Sequence, residues 1–148
     1  MASQRTILLV EDDPVILEIF EFTLQRRGYC VLSAMDGDAA MALIEQGLPD
    51  IAILDMMLPG KSGFQITQRL KEQSEGRVFV VMMSGNTSVV HRDYALSAGV
   101  DRFLAKPFAL AKLLEAVEGS CPPAPTARIN GSGVTQQPAA MAVRSSFP

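Results

Sequence analysis

Several things are scarce in this chain, and each scarcity narrows what it does. Among 148 residues there are two cysteines, Cys30 and Cys121, far apart and in no metal-type spacing. Cys30 follows Tyr29 at the head of an apolar run, where a cysteine is expected to be a small buried hydrophobe. No apolar stretch is long enough to cross a bilayer, and no N-terminal run resembles a signal peptide. A reducing cytoplasm is the expected compartment. Basic residues are outnumbered 13 to 16, for a net charge of −3, so no electrostatic footprint for nucleic acid is present. The single histidine, His91, stands beside Arg92 and Asp93 and reads as a solvated side chain.

What remains is an ordinary soluble composition, 48% hydrophobic and 20% charged, in a chain long enough for one domain with a real core. All sixteen acidic residues precede position 120, together with eleven of the thirteen basic ones. Residues 1–119 thus carry a charge of about −5 and the remainder about +2. Residues 120–148 are rich in Pro, Ala, Ser, Gly and Gln. Such a segment buries too little apolar surface to offset its ordering entropy and reads as a disordered tail or linker. An alternative makes Met141, Val143 and Phe147 a docking motif.

The body of the chain alternates two patterns. Apolar runs at residues 5–10, 29–34, 51–55, 78–83 and 101–105 read as strands. The third, Ile51 to Leu54, shows no alternation, which suits a strand buried on both faces of a parallel sheet. Between and after these runs apolar residues recur at helical spacing. Ile16, Ile19, Phe20 and Leu24 follow Pro14, which fits a first helical turn. Ala40, Leu43 and Ile44 follow Asp36, a candidate N-cap, and end at Gly47. Phe64, Thr67 and Leu70 follow Ser62. A further helix capped by Asn86 or Thr87 reaches Ala98-Gly99, and the last carries Leu110, Leu113, Leu114 and Val117. Five strand–helix units in strict alternation predict an α/β fold, a doubly wound five-stranded parallel sheet with helices on both faces.

In such a sheet the residues just after each strand share one edge, where ligands collect. These are Glu11, Asp12 and Asp13 after the first strand, Asp55 after the third, Ser84 after the fourth and Lys106 after the fifth. Carboxylates converging there repel one another unless a cation sits among them. Mg²⁺ meets that need with oxygen ligands and waters. A lysine adds a charge suited to phosphate, and a hydroxyl adds a donor. The set is suited to receiving a phosphoryl group onto a carboxylate.

The chain resembles the receiver domains of two-component response regulators. The resemblance rests on Val10-Glu11-Asp12-Asp13, Leu54-Asp55-Met56-Met57-Leu58-Pro59-Gly60, Met83-Ser84-Gly85 and Phe103-Leu104-Ala105-Lys106-Pro107-Phe108, spread over residues 5–119. It implies the flavodoxin-like receiver fold over residues 1–119, with Asp55 as phosphoacceptor. Glu11 and Asp12 would be the acid pair, Asp12 the more direct Mg²⁺ ligand, with the main-chain carbonyl of Met57 completing the protein's share. Asp13 would be a flanking, helix-capping residue. Ser84 and Lys106 would contact the phosphoryl oxygens, Phe103 would be the aromatic that moves on activation, and a cis peptide would join Lys106 to Pro107.

The implied function is a phosphorylation-dependent signalling switch rather than an enzyme. It would be charged by a histidine kinase or a histidine phosphotransfer protein, with Mg²⁺ as cofactor. Its output would pass through the face of the fourth helix, fifth strand and fifth helix to a downstream protein, with no nucleic acid and no membrane. Met57 carries no group to orient a water, which predicts slow self-dephosphorylation. No helix-turn-helix or enzymatic module follows, so the chain is either a stand-alone receiver or the receiver part of a longer regulator. A hydrolase of the haloacid dehalogenase type would need a second aspartate two residues after the first, where Met57 stands.

Overall fold

The apolar runs become the strands of a single sheet, and the amphipathic segments become its covering helices. The computed structural model describes residues 4–85 and 89–120. In chain order the elements are β1 (Thr6–Val10), α1 (Pro14–Arg26), β2 (Cys30–Ala34), α2 (Gly37–Gln46), β3 (Ile51–Asp55), α3 (Gly63–Ser74), β4 (Phe79–Ser84), α4 (Val89–Ser97), β5 (Arg102–Ala105) and α5 (Leu110–Glu118). All ten belong to the compact unit Met1–Glu118. The tail reading for residues 121–148, with its Met141, Val143 and Phe147 alternative, lies outside the described residues, and so does the Asn86 or Thr87 cap.

Every strand pair is parallel, in the order β2-β1-β3-β4-β5. The chain leaves β1 toward β2 on one side and returns to β3 on the other, so the winding reverses between β1 and β3. That reversal opens a crevice at the C-terminal ends of these strands. Side-chain alternation along the strands then divides the core. Leu8, Val10, Ala52, Leu54, Val80 and Met82 face α2, α3 and α4, where Ala40, Ile44, Ile66, Leu70 and Ala95 meet them. Ile7, Leu9, Ile51, Ile53, Val81 and Met83 face α1 and α5, against Leu24, Leu113 and Val117. Each fully buried Ile or Leu stabilises the fold by about 1.5–3 kcal/mol, so the central strands anchor everything placed at their ends.

The helix starts are fixed by the expected residues. Asp13 caps α1 by accepting from the Val15 N–H at 2.9 Å, and Asp36 caps α2 through the Ala39 N–H at 2.7 Å. Ser62 and Gln65 form a reciprocal capping box at α3, in which each side chain accepts from the other residue's backbone N–H. A cap of this kind contributes about 1 kcal/mol. It also ends the loop before the helix at a defined residue.

One expectation is corrected. Cys30 is exposed, not buried, because β2 is an edge strand and its first residue lies at the corner of the sheet. Leu32, two residues on, is exposed too. In α1, Ile19 points outward at 49% exposure beside Val15 and Phe22, while Leu17, Phe20 and Leu24 turn inward. α1 carries apolar residues on both faces, and periodicity alone does not say which face meets the sheet.

Candidate functional site

The strand order brings β1, β3, β4 and β5 side by side, and their C-terminal ends form one rim. Asp55 closes β3 opposite Met83, and Ser84 closes β4 opposite Ala105. Lys106 follows β5 directly and is held there by its own N–H, which donates to the Ser84 carbonyl at 2.8 Å. A cis peptide joins Lys106 to Pro107. From this anchor the lysine side chain reaches across the rim. Its Nζ donates to Asp55 Oδ2 at 3.0 Å and to Glu11 Oε1 at 3.1 Å.

Both carboxylates are held at their second oxygens as well. Glu11 Oε2 accepts from the Asp13 N–H at 3.1 Å, and Asp55 Oδ1 accepts from the Met57 N–H at 3.2 Å. Asp55 is 7% exposed and Glu11 only 1%, whereas Asp12 is exposed. One carboxylate oxygen from each of Glu11, Asp12 and Asp55 lies within 4.8 Å of the others. Met57 turns its side chain to solvent, at 74% exposure.

Electrostatics follow from this crowding. Burial pushes the Glu11 carboxyl up from its ordinary value, and the Asp55 charge adds to the rise, against the opposing pull of the Asp13 N–H and Lys106. Burial acts on Lys106 to lower it, but the hydrogen bonds and charges of Asp55 and Glu11 outweigh that and hold it above the usual lysine range. Three carboxylates against one ammonium leave a surplus of negative charge. A hard divalent cation with oxygen ligands fits that surplus, and the donor set of Glu11, Asp12 and Asp55 is of the right kind.

Of the candidates named from sequence, Glu11, Asp12, Asp55, Met57, Ser84 and Lys106 all stand on this rim. Ser84 is buried, at 1% exposure. Phe103 does not reach it. It lies on β5 opposite Met82, partly buried against the core beneath α4. Asp13, the third acid of the run, serves the start of α1 and stands apart from the cluster. Sequence reasoning missed Gly37 at the start of α2, whose N–H donates to the Pro59 carbonyl at 2.8 Å in the loop after Asp55. The Asp36-Gly37 pair signals a helix start, but nothing in it signals what the helix start touches.

Comparisons with known proteins agree with this geometry. Residues 7–118 match the family model described as the response regulator receiver domain. The chain is 28% identical to the chemotaxis response regulator CheY4 of Vibrio cholerae, with a TM-score of 0.73 over 80% of this chain and 99% of that one. It is 29% identical to a CheY-like receiver domain protein of Methanospirillum hungatei, with a TM-score of 0.74 over 79% and 93%. A Burkholderia pseudomallei response regulator, solved with a phosphorylated aspartic acid, a calcium ion and citrate, is 26% identical, with a TM-score of 0.70 over 76% and 66%.

Proposed function

Since this chain belongs to the response regulator receiver domain family, we propose that Asp55 is the residue through which it acts as a phosphorylation-dependent switch of a two-component phosphorelay. The observation that carries the assignment is the reach of Lys106, whose Nζ bonds Asp55 and Glu11 together at the rim. A lone strand-end aspartate would have no reason to share a half-buried lysine with a buried acid that follows another strand.

The donor is a phosphohistidine on a histidine kinase or a histidine phosphotransfer protein. An oxygen of the Asp55 carboxylate attacks phosphorus, the P–N bond breaks, and its electron pair returns to the imidazole, which takes up a proton. Mg²⁺ held by Glu11, Asp12, Asp55 and the main-chain carbonyl of Met57 would supply charge neutralisation on the transferring oxygens. Lys106 is already placed to follow negative charge from the carboxylate to the new phosphoryl group. Ser84, buried at the neighbouring strand end, donates a hydrogen bond to a phosphoryl oxygen. The next residue leaves room for this, since a Cβ at Gly85 meets nothing within 4 Å.

Movement of Ser84 toward the phosphoryl group vacates space that Phe103 fills, and the surface of α4, β5 and α5 reports the change to a downstream protein. The two states need differ by only a few kcal/mol for phosphorylation to shift their populations. The chain acts as a switch rather than an enzyme. Among the described residues no helix is long and apolar enough to cross a membrane, which accords with a cytoplasmic site of action. Residues 1–119 form the receiver in this reading, and residues 120–148 a tail or a linker to an output domain. The exposed Met57 side chain offers nothing to orient an attacking water, so the phosphorylated form is expected to persist for minutes or longer in Mg²⁺, as decay of the phosphorylated mass would show.

The test is incubation with acetyl phosphate and Mg²⁺, read by intact mass. Wild type gains one phosphoryl group and Asp55→Asn gains none. An adduct retained in the variant, or none in wild type, overturns the assignment.

A further inference from the structure

We propose that the β2–α2 connection, Ala34 to Gly37, is a strut that sets the spacing between the two halves of the ion site, with Gly37 as its positioning residue. The inference rests on the metal role assigned above.

One half of that site, Glu11 and Asp12, follows β1. The other, Asp55 and Met57, lies at the end of β3 and in the loop beyond it. The strut touches both. At its first residue the Ala34 carbonyl accepts from the Glu11 N–H at 3.1 Å, and at its last the Gly37 N–H donates to the Pro59 carbonyl at 2.8 Å. Between them stand only Met35, which is exposed, and Asp36, whose side chain is committed to capping α2. The far end of the strut is therefore tied to a rigid helix.

Contact at Gly37 leaves no room for a side chain. A Cβ there would run into the Lys61 backbone, at its carbonyl oxygen and at its nitrogen. Both are backbone atoms, so the clash is relieved only by a backbone shift, of the Pro59–Lys61 turn or of the helix start that Asp36 pins. The loop has little slack elsewhere. Met56 N–H donates to the Met83 carbonyl at 2.9 Å, and Gly63 N–H donates to the Met56 carbonyl at 3.2 Å. A push at the turn is therefore taken up between Met57 and Lys61, where the Met57 carbonyl lies. Groups that orient metal ligands without touching the metal control affinity in this way.

The glycine just beyond the other end of α2 provides a matched control. Gly47 caps the far end with an extended φ of 169°, and a Cβ there meets nothing within 4 Å. Gly47→Ala thus changes chain entropy without moving the loop.

The experiment titrates Mg²⁺ by calorimetry into the full chain as wild type, Gly37→Ala and Gly47→Ala, with melting measured in ion-free buffer. Gly37→Ala should weaken Mg²⁺ binding by about tenfold or more, the range for second-sphere metal partners, and Gly47→Ala should not. Phosphorylation of Gly37→Ala by acetyl phosphate should recover as Mg²⁺ is raised, because the acceptor itself is intact. A lower melting temperature with unchanged Mg²⁺ affinity would reduce Gly37 to a packing residue and overturn the strut. If Gly37→Ala does not fold, Met35→Gly loosens the strut while removing only an exposed side chain. A smaller loss of Mg²⁺ affinity supports the proposal, and an unchanged affinity overturns it. Wild type that neither binds Mg²⁺ nor gains a phosphoryl group would remove the functional reading itself, an outcome distinct from equal binding by wild type and Gly37→Ala.

Discussion

The two ends of this sheet use the same side chains to opposite effect. At the N-terminal rim each acid has its own donors. Asp50 Oδ2 accepts from the Thr6 N–H at 2.8 Å, and the Asp50 N–H donates to the Thr6 carbonyl at 2.9 Å. Asp101 Oδ2 accepts from the Val80 N–H and from Lys71 Nζ, each at 2.8 Å, while the same Nζ donates to the Val78 carbonyl at 2.7 Å. Charge and hydrogen bonding close on themselves there, which stabilises the fold. At the C-terminal rim Glu11 and Asp55 share one lysine, and Asp12 stands within reach of both. Crowded acids are a local cost that a cation and a phosphoryl group can relieve. One rim is satisfied by the chain, and the other carries a surplus of negative charge that a bound cation would satisfy.

The largest test of that contrast is Lys106→Met, which removes the ammonium bonded to both acids. Phosphorylation by acetyl phosphate should slow by about 10²-fold, the usual cost of losing a preorganised charge at a reacting centre. A time course of intact mass measures this, and a rate within a few-fold of wild type would break the distinction between the rims. Next in size is Asp101→Ala. It leaves the Val80 N–H without its acceptor and takes from the Lys71 ammonium its charged partner, leaving it the Val78 carbonyl, and should cost about 2 kcal/mol in urea unfolding, as for a buried donor left without its acceptor. Phosphoryl uptake by the folded fraction should be unchanged.

The smallest effect sharpens the comparison. Glu11→Gln should melt a few degrees higher than wild type in ion-free buffer at neutral pH, and wild type should overtake it as Mg²⁺ is added. The sign follows from burial. Glu11 titrates above its ordinary value in the folded protein, so wild type loses stability as pH climbs from the ordinary carboxylate range through that raised value. Below the ordinary range both states carry the proton, and the advantage of glutamine vanishes. Thermal melts across acid to neutral pH check the trend.

Much of this was legible in the order of residues because strands and rim obey simple rules. An unbroken apolar run at residues 51–54 had to be a central strand, and in a parallel sheet the acid after it had to share an edge with Glu11 and Lys106. The caps Asp13, Asp36 and Ser62 were readable for the same local reason. What escaped was decided by neighbours distant in sequence. Cys30 is exposed because β2 has a partner on one side only, and no pattern inside β2 says so. Ile19 and Leu17 are equally apolar, and only the sheet decides which is covered. The network of Lys71 with Asp101 joins α3 to the start of β4 and to the residue before β5, a pairing no spacing rule reaches.

That the rim draws its members from the residues after β1, from the ends of β3 and β4 and from the residue after β5 also bears on how the protein opens. No fragment of the fold contains the site, so a divalent ion would have nothing to hold until the middle of the sheet has assembled. If the acids hold Mg²⁺, backbone amides of β1, β3 and β4 that exchange with deuterium only through whole-molecule opening should all slow by one common factor on its addition, while fraying at the helix ends continues at its own pace.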